Sequence, residues 1–144
     1  MKLLGLLFLP LVLLAQDLPE GKGKDITERS CGACHEAGVV SKYRNSKDDW
    51  LSVVEDMKGR GADGSDDDFR VIVDYLAHFF GPNVNVNQAA SKELETQLEL
   101  TPAESEAIVQ YRRDHGNYKS FDDLKKVPGI DVKKLEPLRQ RIAF

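Results

Sequence analysis

Cys31-Gly32-Ala33-Cys34-His35 is a C-x-x-C-H run, and that spacing of two thiols and an imidazole is the attachment sequence for a covalent c-type haem. On one turn of helix the two sulfurs reach the two vinyl-derived carbons at one porphyrin edge. His35, the next residue, then lies under the iron as a proximal ligand. Other chemistries fit the cysteines alone. A C-x-x-C pair also serves as a redox dithiol, although no βαβ pattern surrounds this one. It also serves as half of a zinc site, but the chain's two cysteines leave a tetrahedral sphere unfilled. A structural disulfide would leave His35 incidental. Haem is the reading that uses all three side chains.

The sixth iron ligand follows by elimination. Beyond Met1, Met57 is the remaining methionine, and a thioether suits low-spin iron and raises its potential relative to a second imidazole. A methionine on an apolar helical face is also ordinary core filler. His78 competes from the next helix, and an open or water-bound iron is the third case. Arg44 and Arg60 suit haem propionates, and equally suit solvent. Trp50 and Tyr75 fit a haem lining and fit plain core packing equally well.

The elements that would hold these residues are helices. A short one carries Ile26 to Cys34 after a polar, Gly- and Lys-rich lead. Asp48 to Met57 reads as a second, with its acids in the first turn and Trp50, Val53, Val54 and Met57 on one face. Ser65-Asp66-Asp67-Asp68 caps a third, which runs through Phe69, Ile72, Val73, Leu76 and Phe80 to a stop at Gly81-Pro82. The same acidic run lacks the full spacing of a calcium loop. Ahead of all this, Lys2, an apolar run from Leu3 to Leu14 and then Ala15 read as a cleaved signal peptide, residues 1–15. The run is shorter than an ordinary membrane span. With the signal removed, no stable span is expected; an uncleaved membrane anchor is the alternative, and either way the chain works in the periplasm or otherwise exported.

The second half has its own punctuation. Ala89 to Leu98 is a short helix that Ser91 can cap. Thr101-Pro102-Ala103-Glu104 is a sharp helix start. Ser120 to Leu124, the turn Val127-Pro128-Gly129-Ile130, and a last helix capped by Asp131 complete a rough repeat of helix, tight turn, helix. Charge divides unevenly. Residues 16–85 hold nine Lys and Arg against fourteen Asp and Glu, whereas residues 86–144 hold ten of each. Neither half has the basic excess of a typical nucleic-acid surface.

Two resemblances follow from these residues. Residues 24–82 resemble the short single-haem cytochrome c domain of the type in quinohaemoprotein amine dehydrogenases. The likeness rests on the haem motif, on Trp50, Val54, Met57 and Gly61, and on Asp74-Tyr75-Leu76. It implies His35 and Met57 as the axial pair. Residues 85–144 resemble the helix–hairpin–helix domain of the ComEA type. The matching signs are Val86-Asn87-x-Ala89, Ile108-x-x-Tyr111-Arg112, Gly116-x-Tyr118-x-Ser120-Phe121-Asp122-Asp123-Leu124 and Val127-Pro128-Gly129-Ile130. In DNA-binding members of that family, glycine-rich hairpins aim backbone amides at phosphate. Here the first hairpin, Leu98-Glu99-Leu100-Thr101-Pro102, has no glycine, and the second has Asp131 where a glycine is expected. Those departures favour a structural or protein-docking role over nucleic acid, despite the basic cluster of Lys125, Lys126, Lys133 and Lys134.

The expectation is therefore an all-α chain with a cytochrome c domain at 24–82 and a tandem helix–hairpin–helix domain at 85–144. It is an exported one-electron carrier with one covalent haem c on Cys31, Cys34, His35 and Met57, the last two binding iron. Its acidic first unit favours redox partners with a basic docking patch. No nucleophile or acid/base constellation points to an enzyme. The alternatives are a DNA-binding helix–hairpin–helix protein with a redox-active haem domain, and a haem that binds small ligands or peroxide.

Overall fold

The structure, a computed structural model, describes residues 17–144; the expected signal peptide lies outside them. Among the described residues no helix is long and apolar enough to cross a membrane. The fold is all-α, as expected, and its organising element is the helix with the strongest apolar stripe. Here α1 is Lys24–Gly32, α2 is Lys47–Gly59 and α3 is Asp66–Phe80. Ser65 caps α3 by accepting from the Asp68 amide, and the Asp68 carboxylate accepts from the Ser65 amide in return. Phe69, Ile72, Val73, Leu76 and Phe80 are all buried along it. Helices α1 and α2 pack against that stripe. Trp50 of α2 is 1% exposed and donates its indole N–H to the Phe80 carbonyl at 3.0 Å.

Helix α1 begins and ends earlier than the expected Ile26 to Cys34. Gly23 takes φ 104° before it, and a Cβ there would meet Tyr75 and Val71 of α3 at 2.9 and 3.1 Å. This close approach seats the start of α1 against α3. Ala37–Lys42 forms a short 3₁₀ helix.

The second half contributes α4 (Ser91–Leu98), α5 (Pro102–His115), α6 (Phe121–Leu124) and α7 (Val132–Leu135), followed by a 3₁₀ turn, Glu136–Arg141. Ala90, not Ser91, is the N-cap of α4; the Ser91 hydroxyl instead meets Ser105 Oγ of α5 at 2.9 Å. A pair of two-residue strands, β1 (Val84–Asn85) and β2 (Ile142–Ala143), runs parallel with Val84 opposite Ile142. Local patterning had not signalled this bridge, because two residues carry no readable period. It ties the start of the second half to its end.

The two halves meet at the C-terminus of α3. Arg141, 2% exposed, donates to the carbonyls of Ala77 (3.3 Å), His78 and Pro82 (3.2 Å), and to Gln97 Oε1 (3.3 Å). The guanidinium thus satisfies carbonyls that a helix end leaves without partners. Gly81 is required beside it for space, since a Cβ would sit 2.5 Å from the Ala77 carbonyl oxygen and 2.6 Å from the Arg141 Nη2. Arg141→Met keeps the apolar stem and strands those carbonyls. It is expected to lower stability by about 2 kcal/mol or more, read as a lower urea midpoint. Gly81→Ala is expected to lower it as well, and an unchanged midpoint for both variants would refute the lock.

Candidate functional site

Two places bring chemistry-bearing residues together. The first is an apolar cavity of about 380 Å³ between α1, α2 and α3, lined by Cys31, His35, Met57, Trp50, Val54 and Leu76 among others. Three of the four residues singled out at the N-terminal motif therefore share one cavity. Cys34 does not line it and is exposed. Both thiols are free, and burial pushes the Cys31 thiol up, so it lacks the lowered pKa of an activated redox cysteine. The His35 Nδ1 lies 3.2 Å from the Glu36 carbonyl oxygen. Ser30 lines the cavity too, 3% exposed and with its hydroxyl unpaired.

The other residues weighed for this cavity lie elsewhere. His78 faces the second half, where its Nδ1 stands 2.6 Å from Glu99 Oε1. Arg44 donates to the Ser41 and Tyr43 carbonyls, and Arg60 to Asp56. The Tyr75 hydroxyl donates to the Pro19 carbonyl at 2.7 Å.

The second place is the pair of hairpins. In the first, Glu99 takes the left-handed conformation at φ 53°, the position where a glycine is the usual residue. Its carboxylate turns to His78 of α3, so this hairpin docks on the N-terminal half. In the second hairpin Gly129 has φ 80° with nothing within 4 Å of where its Cβ would be. The conformation, not crowding, therefore calls for glycine. Asp131 caps α7 by accepting from the Lys133 amide at 3.1 Å.

Glu104 fastens the two hairpins together. Sequence reasoning found it only as the reciprocating half of a capping box. It does accept from the Thr101 amide (2.9 Å) and hydroxyl (2.8 Å). It also accepts from Lys134 Nζ (3.1 Å) and the Asp131 amide (3.5 Å) of the second hairpin. The Thr101 amide, then the Thr101 hydroxyl, Lys134 and the Asp131 amide, outweigh burial and hold its carboxyl at about 2, from 4.5.

Around the second hairpin, Lys125 pairs with Asp122 and Lys126 with Asp123, each at 2.6 Å. Lys134 is held by Glu104. Of the four clustered lysines, Lys133 alone carries no ion pair among the described residues.

Comparison with known proteins bears on this second place. Residues 81–143 match the helix-hairpin-helix motif family, so this stretch is a helix–hairpin–helix domain. The chain is 36% identical over 62 residues to ComE operon protein 1 of Bacillus subtilis, covering 43% of this chain and 30% of that one. It is 40% identical over 62 residues to an uncharacterized protein of Haemophilus influenzae, covering 42% and 55%. It is also 33% identical over 85 residues to the endonuclease/exonuclease/phosphatase family domain-containing protein 1 of Xenopus laevis, covering 59% and 15%. These matches span about half or less of each relative's length. No solved structure matches.

The match overturns the expected function. What the chain shares with known proteins is the helix–hairpin–helix stretch, and that unit, not the five-residue C-x-x-C-H run, directs the functional reading. The one-electron carrier is withdrawn, together with haem c as its cofactor and redox proteins as its partners. The physical reason is how little a short run specifies. Three fixed side chains constrain far less than a fold-length pattern of caps, turns and core positions.

Because the Glu104 carboxyl is depressed in the fold, its stabilisation is complete above about pH 4.5 and is lost as pH falls toward about 2. Glu104→Gln removes that contribution and weakens the cap, at a cost of about 1 kcal/mol near neutrality. The gap in urea midpoint between wild type and variant is expected to narrow across that acid window. A gap that stays constant would refute the role.

Proposed function

We propose that the chain is an exported helix–hairpin–helix protein that binds nucleic acid through its second hairpin. The observation that carries the reading is this hairpin itself. Gly129 turns the chain in the left-handed region with open space beside it, and Lys125, Lys126 and Lys133 flank it. Support comes from the relatives, one named for the ComE operon and others for an endonuclease/exonuclease/phosphatase family. The preference for a protein-docking role drew on the first hairpin's absent glycine, on Asp131 in the second, and on the zero net charge of residues 86–144. The first describes the hairpin that docks on α3 and the last averages over a whole half. Asp131 does occupy the Lys133 amide, so phosphate contact here falls to the lysine side chains rather than to the hairpin's backbone amides.

The mode of contact follows from the geometry. One hairpin is free and its partner is occupied by His78, so contact is made at few phosphates and is non-specific. Affinity then falls in the range of roughly 10⁻⁴ to 10⁻⁶ M at physiological salt. Three lysines neutralise at most about three phosphates, for a log–log salt slope of roughly −3. Fluorescence anisotropy of a labelled duplex with the full exported chain measures both values. Lys133→Ala is expected to weaken binding to all sequences alike and to make the slope shallower by about 1. Binding that does not change with salt would refute the assignment.

A second reading concerns the cavity of the N-terminal half. Its apolar walls, the unpaired buried hydroxyl of Ser30, and Cys31, His35 and Met57 on its lining support a site for an apolar small molecule. Cys34 stands just outside. Mass spectrometry of the exported chain, native and then denatured, reads any such occupant without assuming its identity. Met57→Trp fills the space and is expected to abolish the added mass. A bare chain in both spectra would refute the site.

A further inference from the structure

Three aromatic rings stack at the C-terminal end of α5. Tyr111 is in the middle, with its centroid 4.0 Å from that of His115 at an interplanar angle of 13°. Tyr118 lies 5.8 Å from Tyr111 at 11°. The inner end is fixed. Tyr118 is 3% exposed, its hydroxyl donates to the Ile108 carbonyl at 2.8 Å, and its backbone exchanges two hydrogen bonds with the Asn87 side chain. The outer end is open. His115 is exposed, and its Nδ1 lies 3.1 Å from the Tyr111 carbonyl oxygen, which sets the plane of the ring. Gly116 follows at φ 85° with nothing near its Cβ position, so the chain turns directly after His115.

Charge surrounds this stack on the side of the second hairpin. Asp123 accepts from the Lys119 amide at 2.9 Å and from Lys126 Nζ at 2.6 Å, which brings the Lys119 backbone, next to Tyr118, to the carboxylate that holds Lys126. Lys126 in turn lies within electrostatic reach of Tyr111. It also leads directly into the hairpin at 127–131. Asp114 adjoins His115 in sequence and is held by Gln110 Nε2 at 3.0 Å. A flat, rigid ring beside cationic side chains is the arrangement that receives an unpaired base while its phosphates lie on the lysines.

We infer that the chain holds single-stranded nucleic acid, or the frayed end of a duplex, by stacking a base on the outer face of His115. This rests on the nucleic-acid reading above and adds the substrate class to it. A duplex keeps its bases stacked on each other and offers this ring no exposed face except at its ends. An unpaired base of any identity has the π surface needed, so the preference is for strandedness rather than sequence.

The test uses the full exported chain and a short single strand carrying 2-aminopurine, with a closed hairpin duplex of the same sequence as the control. Stacking on His115 is expected to change the 2-aminopurine emission on binding, and to give the single strand the higher affinity. His115→Ala is expected to abolish the emission change and weaken single-strand binding about five- to hundredfold, with duplex binding unaltered. His115→Phe is expected to restore both. Melting curves establish that the variants fold, which an exposed position permits. If the duplex binds but His115→Ala leaves the single-strand signal and affinity untouched, the stacking site is refuted and the hairpin reading stands. If neither strand form binds, both fail together.

Discussion

A buried guanidinium whose hydrogen bonds all go to uncharged oxygens holds this chain together. Burying a charge is costly unless hydrogen bonds replace its water, and Arg141 replaces it with carbonyls at the end of α3 and the side chain of Gln97. The C-terminal end of a helix carries partial negative charge, so the fifteen-residue α3 supplies a counter-field, to which the carboxylate of Glu99 adds. Burial still lowers the arginine's pKa, but a guanidinium remains charged throughout any accessible range. The contact joins the fourth residue from the end of the chain to a helix some sixty residues earlier. The β1–β2 bridge adjoining it, and the need for Gly81 beneath it, both follow from the same approach.

That approach decides what each hairpin does. With α3 fixed against the second half, His78 and Glu99 meet. Glu99 can then occupy a left-handed position that glycine would hold at lower cost. A non-glycine residue at positive φ persists where its surroundings hold it, and here the Glu99 contact with His78 Nδ1 across the two halves does so. The first hairpin thus becomes part of an internal interface, while the second, whose Gly129 stands in open space, stays outward.

Much of this was legible because it is local. The capping boxes at Ser65/Asp68 and Thr101/Glu104 were readable from four-residue patterns, as was the stop of α3 at Gly81-Pro82. The apolar stripe from Phe69 to Phe80 followed from its spacing. Helix ends were less legible: α1 starts where Gly23 touches α3, and α4 starts at Ser91, whose hydroxyl meets Ser105 rather than capping the helix. The contacts that matter most were illegible, since Arg141 to α3, His78 to Glu99 and Glu104 to Lys134 each join residues far apart in sequence. The C-x-x-C-H run misleads because a short pattern of chemically potent residues outweighs a longer pattern downstream that specifies more of the fold. Met57, Cys31 and His35 do share a cavity, yet that juxtaposition alone does not name an occupant.

The charges near the second hairpin look balanced, but balance on paper and availability to phosphate differ. An exposed ion pair is worth between zero and about 1 kcal/mol, so a phosphate displaces its carboxylate partner at little cost. Lys125 and Lys126 are in that position, each half-exposed or more and paired with an acid near the surface. Lys134 is not. Its partner Glu104 is only 7% exposed at the side chain and also holds both hairpins, so releasing the lysine would leave a buried carboxylate short of one donor. The acids of the N-terminal half act through a screened field that fades over about 8 Å at physiological salt. They therefore disfavour approach along α2 and α3 more than at the outward hairpin. The surface that remains is small: Lys125, Lys126 and Lys133 around the Gly129 turn, with Lys126 also acting on Tyr111, on which the His115 ring stacks. Few charges and one flat ring suit a transient grip on a flexible strand better than a firm clasp on a duplex.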